Sequence, residues 1–173
     1  MTPQEIAAAI RNVPDFPKEG IQFKDITPLL ADARLFAGTI DLLTANFKPG
    51  SVDAIVGIDA RGFIFAAAAA VKLGAGFVPV RKKGKLPYKT HEQDYALEYG
   101  SATVAMHVDA LKPGARVLLI DDLLATGGTA AAAAALVRKL NAQIAEITFL
   151  IELKFLNGRE KLKDYPVRSV VVY

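Results

Sequence analysis

The spacing of apolar and polar positions along the 173 residues predicts alternating strands and helices. The apolar runs that predict strands occupy residues 54–58, 76–80, 116–120, 144–152 and 168–172. Most are near-continuous Val, Ile and Leu segments, as is typical of strands covered on both faces, and Pro79 indicates an edge or terminal position. Residues 62–73 and 127–140 predict intervening helices. The alternation favours an α/β fold whose central, mostly parallel sheet is flanked by helices.

The first 50 residues have a different pattern. Thr2 as N-cap, Pro3 in the first turn and Glu5 closing a capping box predict a helix over residues 3–13. After a stretch rich in proline and glycine, Thr27 predicts the N-cap of a second helix, whose apolar positions recur at helical spacing to about residue 47.

Between the second strand and the third lies a basic segment. Arg81, Lys82, Lys83, Lys85 and Lys89 form a cluster without an acid, which leaves 16 basic and 18 acidic residues elsewhere. Because the segment also contains Gly84 and Pro87 and has no helical periodicity, a mobile loop that meets a small polyanion is favoured over a nucleic-acid surface. Residues 94–100 and 101–108 then predict two ribbon strands of a flap.

Composition narrows the function classes. With 52% hydrophobic and 23% charged residues, the chain is expected to fold as one domain over residues 1–173. It has no cysteine, and His91 and His107 are sixteen residues apart, which excludes thiolate chemistry and disfavours a zinc site. No apolar run approaches the ~20 residues of a membrane span, and no signal segment is evident, so a cytoplasmic location is expected.

Two acids and a small-residue turn carry the chemistry. Asp121 and Asp122 follow a buried strand, and a turn that opens a helix comes next. The residues of this turn are Ala125, Thr126, Gly127, Gly128 and Thr129. Their backbone N–H groups and hydroxyls can surround a phosphate at the helix N-terminus, although the pattern is neither a Walker A loop nor a dinucleotide fingerprint. Adjacent carboxylates would repel that phosphate unless they face sugar hydroxyls or hydrated Mg²⁺, so a phosphorylated sugar is predicted over an ordinary strand-to-helix turn.

This segment resembles the phosphoribosyl pyrophosphate (PRPP) motif of type I phosphoribosyltransferases, in the form typical of their adenine-specific members. The resemblance extends over nearly the whole chain, through residues 15–17, 20–27, 57–63, 81–87, 97–100 and 157–162. It implies the fold of that family and transfer of the 5-phosphoribosyl group from PRPP to N9 of adenine, with AMP and pyrophosphate as products and Mg²⁺ bound with PRPP.

The resemblance also implies residue roles. The catalytic candidates are Glu98, Arg61, Lys85 and Tyr99. The PRPP candidates are the turn from Ala125 to Thr129, Asp121, Asp122, Asp59, Ala60, Arg61 and Arg81. Asp121 and Asp122 are expected to meet the metal only through water, and the Asp59–Ala60 peptide is expected to be strained and able to be cis. In the family the equivalent of Arg81 reaches the neighbouring subunit's site, which implies a homodimer.

For the base, residues 1–30 are expected to form a hood and residues 81–107 the basic loop and flap. The adenine candidates are Ile21, Gln22, Phe23, Lys24 and Leu153. Phe23 and Leu153 would sandwich the flat ring, and the backbone of residues 21–24 would read its amino group. Gln22 stands where an aliphatic residue is common in the family.

Two alternatives stay open. A sister enzyme acting on hypoxanthine, guanine, xanthine or orotate would share the PRPP residues and differ in the hood. A regulator that binds PRPP or a nucleotide without turnover would not need the flap residues. Neither nucleic acid nor a membrane is an expected partner.

Overall fold

The computed structural model describes residues 1–97 and 99–173, and the chain divides into two units, Met1–Leu42 and Leu43–Tyr173. The elements of the first unit are α1 (Pro3–Ala9), β1 (Arg11–Pro14), β2 (Gln22–Asp25), α2 (Thr27–Ala31) and α3 (Ala33–Leu43), which ends one residue beyond it. β1 and β2 form an antiparallel hairpin, with Val13 opposite Phe23. The capping box between Thr2 and Glu5 is confirmed.

The helices of this unit are shorter than the two that the sequence predicts. α1 ends at Ala9 because Ile10 is extended and the next residues pair with β2, which the sequence did not predict. The second helix is broken at Asp32, whose backbone is extended and whose Oδ1 accepts a hydrogen bond from Leu35 N at 2.9 Å. Thr27 is the first helical residue and not the N-cap, and its N–H donates to Asp25 Oδ1.

The second unit contains a seven-stranded sheet. Its elements are β3 (Ala54–Ile58), α4 (Arg61–Leu73), β4 (Gly76–Lys82), β5 (Thr90–Ala96), β6 (Ser101–His107), β7 (Arg116–Leu124), α5 (Gly128–Lys139), β8 (Gln143–Glu152), the 3₁₀ turns Lys154–Leu156 and Gly158–Leu162, and β9 (Val167–Val172). The strand order is β5-β6-β4-β3-β7-β8-β9. Five neighbouring strands of this sheet are parallel, namely β4, β3, β7, β8 and β9. β5 and β6 form an antiparallel flap at the edge beside β4. The predicted fold class is therefore confirmed.

Pro79 lies in a strand that has neighbours on both sides, β3 and β6. β6, however, pairs with β4 only at Arg81 and Lys82, so the stretch around Pro79 has one hydrogen-bonded neighbour. The missing N–H of proline therefore costs no ladder bond there, and the edge character that Pro79 predicts is local to this stretch.

The alanine-rich helices pack closely on the sheet, as their composition predicts. Ala66, Ala133 and Ala134 are fully buried, and a Cβ on Gly57 of β3 would lie only 2.6 Å from Cβ of Ala66. Small side chains on both elements therefore set a short helix-to-sheet distance. Among the described helices, none has the length and apolar content needed to cross a bilayer.

Candidate active site

The candidate site lies where the parallel strands of the second unit end. Asp59 follows β3, Arg81 is the penultimate residue of β4, and Leu153 follows β8. Carboxyl ends of parallel strands meet at one edge of a sheet, which is where ligands bind in open α/β folds. The sheet topology thus brings residues that are far apart in sequence to a single edge.

The two acids lie within strand β7, which continues to Leu124, four residues beyond its predicted end at residue 120. Asp122 is buried, with 6% of its surface exposed, whereas Asp121 is half-buried. The Asp122 N–H donates to Asp121 Oδ1 at 2.9 Å.

Asp122 faces Arg61 at the start of α4. Arg61 Nη2 lies 2.8 Å from Asp122 Oδ2, and about a third of the Arg61 side chain is exposed. The contact is an ion pair without the alignment of a hydrogen bond, and this oxygen is buried with no hydrogen bond among the described residues. A buried carboxylate oxygen with unused acceptor capacity is suited to a ligand hydroxyl or an ordered water.

Both acids have raised pKa values. Burial and the neighbouring Asp122 carboxylate raise the pKa of Asp121 well above its usual value. Burial raises the pKa of Asp122 as well, and the Arg61 guanidinium opposes that shift. Two adjacent desolvated carboxyls therefore disfavour their own charge, and positive charge or hydrogen-bond donors from a ligand would relieve the cost.

Gly62 allows α4 to begin close to β7. A Cβ at this position would lie 2.5 Å from Asp121 Oδ1 and 3.3 Å from both Asp121 Cα and the Ile120 carbonyl oxygen. The first of these distances is shorter than real Cβ contacts, and the other two, which are to backbone atoms, are tighter than most. The glycine therefore determines the distance between Arg61 and the two acids.

The β3–α4 turn contains a second ion pair. The Asp59–Ala60 peptide is cis, in line with the family resemblance. Arg81 Nε donates to Asp59 Oδ2 at 2.8 Å, and Arg81 Nη1 donates to the Lys85 carbonyl oxygen at 3.2 Å. Arg81 thus contacts Asp59 of its own chain, and the basic loop is tied to the turn. The Lys85 side chain is exposed.

Asp121 and residues 123–130 line a cavity of about 80 Å³ at the start of α5. Gly127 is the N-cap, with φ of +82°, and Thr126 beside it is exposed. A helix N-terminus offers unpaired N–H groups and the positive end of the helix dipole. The small cavity and these donors suit a single phosphate group, which is the cradle that the sequence predicts.

The flap contacts the start of α5. Tyr95 Cδ2 would lie 3.3 Å from a Cβ on Gly128, and Lys139 Nζ donates to the Glu92 carbonyl oxygen at 2.6 Å. Strand β5 therefore rests on the helix that opens with the phosphate cradle. Tyr99, near the flap tip, is 83% exposed. Glu98 lies outside the described residues, so its role stays a prediction.

Four of the five adenine candidates belong to the β1–β2 hairpin: Ile21 directly precedes β2, and Gln22, Phe23 and Lys24 lie in β2. Gln22 Oε1 accepts a hydrogen bond from Asn12 Nδ2 at 2.6 Å, and Lys24 Nζ donates to Asn12 Oδ1 at 3.2 Å. Phe23 is half-buried, and its ring meets that of Phe16 edge to face, with centroids 5.1 Å apart. Ile21 is 40% exposed.

The fifth adenine candidate, Leu153, belongs to the second unit. It follows β8 directly, and its N–H donates to the Leu124 carbonyl oxygen at 2.9 Å. Because Leu124 is the last residue of β7, this bond ties Leu153 to the strand that carries both acids. The side chain is half-buried.

Three residues beside the cradle were not predicted as site residues. Glu152 ends β8, and the side chain of Arg159 pairs with it through two hydrogen bonds. Gly158 contacts the backbone of Gly127 and Ala125. Gly158 and Arg159 belong to a segment that carries the family resemblance, but only the structure shows that Gly158 lies against the turn of residues 125–129 and that Arg159 pairs with Glu152.

The family model of the phosphoribosyl transferase domain matches residues 22–172. Adenine phosphoribosyltransferase of Acidothermus cellulolyticus is 58% identical over 96% of this chain and 94% of its own, and that of Chloroflexus aurantiacus is 54% identical over both full lengths. The chain belongs to the adenine phosphoribosyltransferase family.

Solved structures of the family agree in fold. The adenine phosphoribosyltransferase of Thermoanaerobacter pseudethanolicus is 49% identical, covers 99% of this chain and 100% of its own, and superimposes with a TM-score of 0.95. The enzyme of Saccharomyces cerevisiae, in complex with adenine and an imino-altritol bisphosphate, is 43% identical over 97% of each chain, with a TM-score of 0.92. The predicted family and fold are therefore confirmed.

Proposed function

We propose that this chain transfers the 5-phosphoribosyl group of PRPP to N9 of adenine, which gives AMP and pyrophosphate and serves purine salvage. The observation that carries the proposal is the pair of acids in β7 leading directly into a phosphate-sized cavity at the start of α5. Arg61 lies beside the acids. Arg81 lies near the end of β4, which is separated from β7 by β3 alone. Relatives at 50–58% identity carry the name of this activity.

The leaving group sets the main electrostatic task. When the bond from C1′ to pyrophosphate oxygen breaks, both electrons go to pyrophosphate, positive charge develops on the sugar, and N9 of adenine then forms the new bond to C1′. Arg61, Arg81 and the backbone N–H groups of the Asp59–Ala60 turn are the proposed partners of the anion. Fixed cationic donors that face developing negative charge lower such a barrier.

The carboxylates are assigned to the ribose side. Asp121 and Asp122 would accept hydrogen bonds from the ribose hydroxyls or from water around Mg²⁺, and the buried, unsatisfied oxygen of Asp122 supports this assignment. Members of the family are generally Mg²⁺-dependent. No group of three or more His, Asp or Glu side chains suited to a metal occurs among the described residues. PRPP oxygens and water would therefore hold the ion, and the two acids would contact it through that water. Bound there, Mg²⁺ would supply charge neutralisation.

The flap is assigned to water exclusion and proton handling. Glu98 would take the proton that N9 loses, Tyr99 would help to position PRPP, and Lys85 would add positive charge near the leaving group. The exposure of Tyr99 and of the Lys85 side chain is compatible with groups that meet ligand upon closure. An oxocarbenium-like centre open to water would be hydrolysed rather than transferred, so closure has a chemical purpose.

Base recognition is assigned to residues 21–24 and Leu153. The Gln22 amide is hydrogen-bonded to Asn12 within the hairpin, so this polar side chain need not add polarity to a base pocket. Phe23 and Leu153 are the proposed apolar contacts of the flat ring. The expected cytoplasmic location stays a prediction.

Substrate choice is the first test. We expect purified protein with Mg²⁺ and PRPP to form AMP and pyrophosphate from adenine, with little product from hypoxanthine, guanine, xanthine or orotate in parallel reactions. Nucleotide and pyrophosphate are quantified by chromatography. Product from another base would support the proposed PRPP site but overturn the assignment of adenine recognition to residues 21–24 and Leu153. PRPP binding without product would favour the hypothesis of a non-catalytic regulator.

A homodimer is also proposed, with Arg81 serving the partner's site. Ile64 and Val71, seven residues apart on α4, are 38% and 86% exposed and share one helix face. Phe77 of β4 is 38% exposed and contacts Phe63 of α4 edge to face. This apolar surface is suited to a second copy. A partly exposed ion pair such as Arg81–Asp59 contributes only about 1 kcal/mol, so Arg81 can exchange it for ligand charge.

Mixing two inactive variants tests the exchange of Arg81 between subunits. We expect Arg81→Ala and Asp122→Asn to be nearly inactive alone and to recover activity when mixed, because a hybrid dimer contains one site without either change. Differently tagged subunits confirm exchange by pull-down. Absence of recovery despite verified exchange would place Arg81 in its own chain's site, where its contact with Asp59 would then persist.

A further inference from the structure

We propose that Arg159 is a positioning residue for PRPP: its ion pair with Glu152 holds Gly158 against the turn of residues 125–129 and so sets the shape of the phosphate cradle. The inference rests on the proposed function, because it takes that turn as the PRPP phosphate site.

The glycine contact is close on both sides. A Cβ on Gly127 would overlap the Gly158 carbonyl oxygen and lie 3.0 Å from the Gly158 carbonyl carbon. A Cβ on Gly158 would overlap the Ala125 carbonyl oxygen and lie 3.1 Å from Gly127 N. The two backbones therefore touch without side chains between them, and any displacement of Gly158 changes the support of the cradle directly.

Arg159 is fixed at both edges of its guanidinium group. Nε and Nη2 donate to the two carboxylate oxygens of Glu152 at 2.8 and 2.7 Å, a bidentate geometry that fixes orientation as well as distance. Nη1 donates to the Val167 carbonyl oxygen at 2.9 Å, and Nη2 also reaches Ser169 Oγ at 3.4 Å. Glu152 is 4% exposed, at the end of β8, and the hydrogen bonds from Arg159 lower its pKa. Arg159 thus links its segment to β8 and β9.

Little else anchors the side chains of this segment. Lys154, Phe155, Leu156, Glu160 and Lys161 are all exposed, and Phe155 is 72% exposed. Gly158 and Leu162 are its buried residues between positions 154 and 162. Besides this pair, the Lys154 N–H donates to the Tyr173 carbonyl oxygen at 2.9 Å. Without the pair to Glu152, Gly158 would depend on that bond four residues away, on Leu162 and on local backbone turns to stay against Gly127. A small drift would open the cradle, and misplacement by about 1 Å can cost about a hundredfold in rate.

The test compares Arg159→Ala, Arg159→Lys and Gly158→Ala with wild type. We expect Arg159→Ala and Gly158→Ala to raise the KM and the Kd for PRPP about tenfold or more, with less than about a twofold change in the KM for adenine. Arg159→Lys should recover part of the lost PRPP affinity, because lysine retains the positive charge but cannot donate two hydrogen bonds to both oxygens of Glu152 in the planar geometry of arginine. Kd is measured by calorimetry on the full chain, and thermal unfolding is recorded for every variant.

Matched controls separate positioning from general destabilisation. The control for Gly158→Ala is Gly76→Ala. Like Gly158, Gly76 has no positive φ, but the nearest atom to its added Cβ would be 3.7 Å away. The control for Arg159→Ala is Arg116→Ala, which removes an exposed arginine at the start of β7. Both should leave the two KM values unchanged. Equal increases in both KM values, or PRPP binding unaltered in Arg159→Ala and Gly158→Ala, would overturn the inference. A wild-type chain that binds no PRPP would overturn it together with the proposed function.

Discussion

Replacement of Asp122 by asparagine is expected to reduce kcat by about a hundredfold or more, as loss of one preorganised polar contact in an active site commonly does. The melting temperature at neutral pH should stay unchanged or rise. Asparagine keeps the shape of the side chain, removes the charge and replaces one carboxylate oxygen by an NH2 group. The charge opposes folding, because burial raises the pKa of Asp122 despite Arg61. Activity would be followed as AMP formation and stability by thermal unfolding.

The pH dependence of this effect has a defined sign. A carboxyl whose pKa is higher in the folded state than its unfolded value of 3.8 binds its proton more tightly in the folded protein, so folding is favoured at low pH and opposed once pH exceeds the folded pKa. The stability gained in Asp122→Asn should therefore be largest at neutral pH. It should vanish below about pH 3.8, where wild type is protonated in both states.

Glu146 provides the matched control for Asp122. It is another buried acid of the sheet, but Arg168 Nε, Thr148 Oγ1 and Asn46 Nδ2 all donate to it at 2.7–2.9 Å. Glu146→Gln should lower the melting temperature, because it breaks a satisfied buried network, while kcat stays near that of wild type. A large loss of stability with retained turnover in Asp122→Asn would show that Asp122 is structural instead.

The sequence predicted the parts of this fold that local pattern determines. Continuous apolar strands and alanine-rich helices in alternation predicted the parallel sheet, which the structure confirms. The acids with the following small residues predicted a phosphate site at the start of α5, which stays a prediction. Local pattern failed where long-range pairing decides. Arg11–Pro14 became a strand because Gln22–Asp25 offered a partner, and β7 continued through Asp122 because β8 pairs with it as far as Glu152.

The site shows the same division between local and distant information. The sequence identified Arg61 and Asp122 separately, but their ion pair depends on how closely α4 approaches β7, which Gly62 permits. Likewise, the sequence offered no role for Gly158 or Arg159, because their contacts join residues about 30 positions apart and residues on neighbouring strands. Packing distances of this kind depend on how the strands and helices assemble, and the hydrophobic periodicity of the sequence does not predict them.

Gly127→Ala tests the cradle directly and should have the second large effect. A non-glycine residue with φ of +82° costs about 1–2 kcal/mol, and the new methyl group would also overlap the Gly158 carbonyl oxygen. We expect the KM for PRPP to rise about a hundredfold, because either the turn or Gly158 must move, and the free energy of unfolding to fall by more than the backbone cost alone. Gly114→Ala separates the two causes, since Gly114 has φ of +79° and an added Cβ would have no neighbour within 4 Å. That control should lose only the backbone contribution and retain its KM for PRPP, and equal losses in both variants would show that contact between Gly127 and Gly158 has no part in binding.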